Sequence, residues 1–293
     1  MCITVQYSLL GTLLLAGLAG LFLVRIFIIF HDCGHGSFFK SKRANNVLGF
    51  ITGIMTFTPY RYWRWQHAVH HGTSGNLDHR GTGDIWTMTV KEYRAASPWM
   101  RFRYVVSRNP IVVFVVAPLG LFWLYHRFAF DGASKRDRSS VLWTNLALLV
   151  YVIAMGSLIG FWNYFWIQLT VTLVSGTAGV WLFYVQHQFE DTYWRKADEW
   201  DYLTSAMQGS SYYKLPKLLQ WFSGNIGFHH IHHLSSRIPN YNLEACHNAE
   251  PFFQQVPELT LRSSFRSVHL RLWDEESGKL VGYKHLRRTK QAA

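Results

Sequence analysis

The chain has 293 residues, 49% hydrophobic, 17% aromatic and 16% charged, with a formal net charge of +12. Several apolar stretches approach the length needed to cross a hydrocarbon core of about 30 Å, which argues against a soluble globular protein. Three cysteines, Cys2, Cys33 and Cys246, are too few and too scattered for a disulfide framework or a thiolate metal site.

Residues 3 to 24 carry no charged side chain, and the first apolar segment, 3 to 30, is long enough to span. Segments 47 to 58 and 111 to 125 are too short and read as re-entrant or interfacial. The second of these contains Pro118 and Gly120, with Arg108 before it and His126 and Arg127 after it, so it is expected to return to the side it left. Residues 139 to 189 carry no charge either, and they hold two spanning segments, 141 to 161 and 163 to 186, parted by Gly160 to Trp162. This predicts a helical hairpin whose tip lacks Lys and Arg and faces away from the cytoplasm, with Lys135, Arg136 and Arg138 at its cytoplasmic start and His187 at its cytoplasmic end.

Lys40, Lys42 and Arg43, then Arg61 and Arg64, then Arg94, Arg101, Arg103 and Arg108 form basic patches expected on that same side. Such a face suits acidic lipid or an acidic redox partner, and no nucleic-acid partner is expected. If the first span delivers His31 to the cytoplasm, the amino terminus lies outside, so one N-terminal helix and a polar leader are expected to be lacking from this chain. Residues 1 to 250 read as the membrane domain and 251 to 293 as a cytoplasmic tail. A small hairpin is predicted in that tail around Trp273 and Val281, with Ser277 and Gly278 between.

The chemistry is in the histidines. Eight of the 15 fall into three boxes: His31 and His35 in HDCGHG, His67, His70 and His71 in HAVHHG, and His229, His232 and His233 in FHHIHHL. Spacings of three and four place imidazoles on one face of a helix, where two or three can converge on one point. A single such pair is usually a surface or capped pair; three boxes, each near the end of an apolar segment, point to metal. Eight imidazoles exceed one ion's four to six ligands, so two ions are implied, and imidazole suits iron, copper, zinc and nickel alike.

His187, ending a spanning segment, is a ninth candidate, since a polar residue there is costly without a partner. Asp32, Asp78, Asp84, Glu190 and Asp191 are near enough in sequence to orient ligand rings, as carboxylates often do. Asn225, four before His229, is a further candidate, acting directly or through water. His230 should face away from the metal, and His79, His126, His247, His269 and His285 read as surface or structural.

The pattern H-x-x-x-H, H-x-x-H-H, H-x-x-H-H between hydrophobic hairpins resembles the integral-membrane fatty acid desaturase family. The runs IFIIFHDCGHGSFF, HHGTSGNLDHRGTGDIW, VWLFYVQHQFEDTYW and GNIGFHHIHHLSSRIPNYNLE are similar to bacterial acyl-lipid desaturases that act on membrane phospholipids. The resemblance implies an all-α membrane protein, a transmembrane bundle with a cytoplasmic histidine-box metal cap. It also implies two iron ions (Fe2+), O2 as oxidant, a phospholipid acyl chain as substrate and dehydrogenation to a cis alkene. The ligands it assigns are the eight box histidines and His187. No haem or flavin fingerprint is visible, so electrons are expected from a separate ferredoxin or flavodoxin. A hydroxylase or ketolase shares the boxes and is the rival enzyme reading; a bis-histidine haem protein fits less well because the histidines cluster just outside the spans, and a metal transporter because residues 141 to 186 offer almost nothing that ionises.

Overall fold

A computed structural model describes residues 1–130 and 132–286. In chain order the helices are α1 (Leu9–His35), α2 (Lys42–Met55), α3 (Tyr60–Thr73), α4 (Val90–Ala95), α5 (Pro98–Ser107), α6 (Ala117–Leu119), α7 (Lys135–Ile159), α8 (Phe161–His187), α9 (Tyr202–Gln208), α10 (Lys217–Phe222), α11 (His229–Leu234), α12 (Leu243–Ala249) and α13 (Leu261–Ser264). The strands are β1 (Met88–Thr89), β2 (Tyr212–Lys214), β3 (Glu258–Thr260), β4 (Leu272–Asp274) and β5 (Lys279–Val281).

Three helices, α1, α7 and α8, are long and apolar enough to cross a membrane. α1 starts where the Ser8 hydroxyl accepts from the Gly11 amide, and it stops at Gly36, whose φ of 73° few other residues adopt. Because the stop falls one residue past His35, the first histidine box forms the last turn of α1. α7 opens on a reciprocal cap between Ser134 and Asp137, and it is broken from α8 at Gly160 with φ 85°. The expected hairpin is thus formed by α7 and α8. Residues 98–127 are two helical pieces bent by 59°, with π-helical turns at Val112–Val116 and Gly120–Leu124 around Pro118. A missing amide at Pro118 cannot close an ordinary helical bond, which favours such irregular turns.

The chain divides into two compact units. The first comprises residues 1–65, 114–180 and 221–224. In it α1 packs on α8 where Gly20 leaves no room for a Cβ against Val174. Phe30, Cys33 and Tyr60 form a buried cluster joined by Phe27 and Trp63, and the Tyr60 hydroxyl donates to the Cys33 carbonyl. α2 turns Asn45, Gly49, Thr52 and Gly53 inward and leaves Val47, Phe50, Ile51 and Met55 exposed.

The second unit comprises, among the described residues, 66–113, 181–220 and 225–286. It holds two small sheets that helical periodicity does not announce. β1 pairs in parallel with β4, which pairs antiparallel with β5, and β2 pairs in parallel with β3. β4 and β5 are the predicted hairpin, with Gly278 at φ 63° in its turn. Its residues Trp273 and Leu280 are buried with Leu77 and Trp194, while Leu272 is buried with Val90 and Tyr104.

Arg108, expected on the basic surface, is only 2% exposed. Its Nη2 donates to Gln188 Oε1 at 2.7 Å, the Leu270 carbonyl at 3.0 Å and the Tyr184 hydroxyl at 3.2 Å. One guanidinium thus ties the end of α5 to the end of α8 and to the chain before β4. Arg108→Ala leaves Gln188 Oε1 without this donor, while the Tyr184 hydroxyl still reaches the Leu270 carbonyl, and a loss of about 2 kcal/mol is expected. Thermal unfolding of detergent-solubilised protein measures it, and an unchanged midpoint would contradict this role.

Candidate metal centre

The middle box lies on α3, an N-terminally aromatic helix whose histidines occupy its last two turns. His67 and His71, one turn apart, bring their Nε2 atoms to 3.2 Å of each other. α11 brings His232 to them, with its Nε2 at 2.9 Å from that of His71. His70, between them in sequence, faces another way and joins His187 and His233. In each of these two triplets one nitrogen per residue lies within 4.8 Å of the others. His229 Nε2 is 3.0 Å from His187 Nε2, beside the second triplet. In the first unit His31 and His35 stack edge to face with ring centroids 4.7 Å apart, and Trp63 lies 5.8 Å from the His31 ring.

Ring orientation is set by the nitrogen that does not face the cluster. His70 Nδ1 is 2.8 Å from Asp84 Oδ1, and His187 Nδ1 is 3.1 Å from the Gly209 carbonyl. Both nitrogens therefore carry the proton, which leaves Nε2 a lone pair aimed inward. His31 Nδ1 meets Asp32 Oδ1 at 3.1 Å in the same manner. Gly83, with φ 73°, lets the loop carrying Asp84 lie against His70, where a Cβ would come to 3.0 Å of the His70 Cβ. α11 is held from α9 by the Tyr202 hydroxyl, which donates to the His233 carbonyl at 2.6 Å.

These residues fit metal ions. His70 Nε2 and His233 Nε2 are buried and have no hydrogen-bond partner among the described residues, a costly state that a bound cation relieves. Burial, reinforced by neighbouring imidazoles of which His71 is foremost, holds His233 well below the usual histidine pKa. It is therefore neutral, the form that ligates. The 2.9 and 3.2 Å nitrogen separations match the roughly 3.0 Å between adjacent ligands of an octahedral ion with bonds of about 2.1 Å.

The remaining candidates divide. Asp84 and Asp32 are histidine partners. Glu190 and Asp191 are exposed instead and flank Lys279, with Asp191 at 2.9 Å and Glu190 at 3.8 Å. Asp78 accepts from the Ala197 amide. Asn225 has φ 58°, donates to the Asn240 carbonyl at 3.1 Å and accepts from Gln220 at 3.2 Å, so its amide is engaged in the loop ahead of α11. His230 turns away and meets His247 Nδ1 at 3.2 Å. The burial around that pair lowers His230 to a pKa of about 3. Gly209, which orients His187, and Gln188, which accepts from Arg108, were not legible in sequence. The first acts through a backbone carbonyl, and the second differs from any buried glutamine only by its partner.

A family model described as fatty acid desaturase matches residues 7–262. The chain belongs to the fatty acid desaturase family. Members of this family are oxidoreductases, and the membrane helices and histidine clusters described above are in keeping with it. The chain is 47% identical over 285 residues to a fatty acid desaturase of Bacillus subtilis, covering 97% of this chain and 81% of that protein. It is 29% identical over 229 residues to an sn-1 acyl-lipid omega-3 desaturase (ferredoxin) of Synechocystis, covering 74% of this chain and 61% of the relative. An sn-1 oleoyl-lipid 12-desaturase of Synechocystis is 28% identical over 238 residues, with 78% of this chain and 65% of that protein covered.

Proposed function

We propose that this desaturase uses two iron ions and O2 to dehydrogenate a saturated acyl chain, carried on a membrane phospholipid, to a cis alkene. The observation that supports it most is the division of the histidines into two converging groups with buried, unpartnered Nε2 atoms on His70 and His233. His67, His71 and His232 would hold one ion, and the family resemblance adds His31 and His35 to the ligands. His70, His187 and His233, with His229, would hold the other. Iron bound there supplies O2 reduction and hydrogen abstraction from an unactivated methylene.

The balance is one –CH2–CH2– unit, O2, two electrons and two protons giving one –CH=CH– and two waters. The protein's own share is positional. Asp84 and Gly209 fix the proton on the outer nitrogen of His70 and His187. Burial keeps His233 neutral and water away from its ring. The two electrons come from a ferredoxin or flavodoxin, which the positively charged face attracts. The metal centre lies on the cytoplasmic side of the cytoplasmic membrane, a reading supported by the bias of Lys and Arg toward that side in membrane proteins.

Expression in a host lacking desaturases, followed by mass spectrometric location of the double bond, tests the proposal. A cis-monounsaturated phospholipid acyl chain is expected from the wild type and none from His232→Ala. A hydroxylated product alone would overturn it.

A further inference from the structure

α2 is inside-out for a helix facing water. Its inward side is small and polar, with its needs met locally. Thr52 donates to the Leu48 carbonyl at 2.7 Å and Thr56 to that of Thr52 at 2.9 Å, while Asn45 exchanges two hydrogen bonds with the Phe39 backbone. Its outward side is apolar, with Val47 54%, Phe50 37% and Ile51 50% exposed. A helix hydrophobic on its outer face is solvated by hydrocarbon, and small residues on the inner face let it approach its neighbour closely.

This apolar strip is not closed at its start. An open face runs along it, formed by Lys42, Arg43, Asn46, Val47, Phe50 and Ile51 of this one helix. From Lys42 to Ile51 it extends roughly 14 Å at 1.5 Å per residue, the depth from a headgroup well into the acyl region. Lys40, Lys42 and Arg43 make no ion pair among the described residues. From Cys33 to Leu77 the sequence holds no Asp or Glu, against five Lys and Arg. The counter-charge therefore comes from outside this stretch.

We propose that this face of α2 is a binding site for an anionic membrane phospholipid, its phosphate on Lys42 and Arg43 and one acyl chain along Val47, Phe50 and Ile51. An acidic protein partner would meet the charges but not the apolar strip that shares the helix face with them, and a zwitterionic lipid would meet the strip but leave net positive charge. The site involves none of the histidines, so it stands apart from the desaturase chemistry.

The test is native mass spectrometry of the full chain released from micelles doped with equal phosphatidylglycerol and phosphatidylcholine. Wild type is expected to retain phosphatidylglycerol preferentially, and Lys42→Gln/Arg43→Gln to weaken that retention about 30-fold. Lys42→Arg/Arg43→Lys is expected to keep it. Circular dichroism and unchanged metal content confirm that the variants fold, and single substitutions replace the double variant if it does not. Equal retention of both lipids by the wild type would overturn the proposal, as would undiminished phosphatidylglycerol retention in the folded Gln variants. So would Gln variants that lose only binding of an acidic electron carrier.

Discussion

His70→Ala is expected to remove desaturation altogether and to lower bound iron from two ions per chain towards one. His70 is the member of the middle box that turns from His67 and His71 to His187 and His233. Its Nε2 is buried with no partner and its Nδ1 is held by a carboxylate, so the ring has one orientation and one free lone pair. Alanine deletes that nitrogen and leaves Asp84 facing empty space. Altering a group that merely orients a ligand typically costs 10- to 100-fold in affinity or activity, so loss of the ligand itself is expected to exceed about 100-fold. Iron per chain, measured by mass spectrometry of purified protein beside turnover, reads it. Two retained irons would remove His70 from the ligand set.

Asp84→Asn is expected to keep the fold and cost about 10- to 100-fold in iron affinity or turnover. Asp84 Oδ1 accepts from His70 Nδ1 at 2.8 Å, and its side chain is only 9% exposed. The charge strengthens that bond and raises the electron-donating power of Nε2. The amide has nearly the same shape but no charge, and it can turn its NH2 toward Nδ1, which would push the proton to the nitrogen that must ligate. Chelator competition measures the affinity, and the melting temperature of the metal-free protein serves as the fold control. Affinity equal to wild type would reduce Asp84 to a packing role.

Glu190 and Asp191 provide the contrast. Both acids are exposed beside Lys279, and exposed pairs of this kind contribute little to stability. In sequence they stand much nearer to His187 than Asp84 stands to His70, three or four residues against fourteen. All were equal candidates by sequence, and the fold sets Asp84 on a histidine and these two on a lysine. The chain leaves α8 at His187, so residues beyond it follow a new direction, whereas the Gly83 turn brings a more distant carboxylate back onto α3.

The spans, the α7–α8 hairpin, the C-terminal β-hairpin and the helical spacing of the histidine boxes were all legible in the sequence. Each rests on local order: the length of an apolar run, a glycine that stops a helix, or a spacing of three and four that puts rings on one face. Which histidines share an ion is not a local property, because His67 and His71 point one way from α3 and His70 another, and only α8 and α11 decide what each meets. The burial of Arg108 and the use of the Gly209 carbonyl to orient His187 belong to the same class. They depend on segments far apart in the chain becoming neighbours, and residue type at one position does not encode that adjacency.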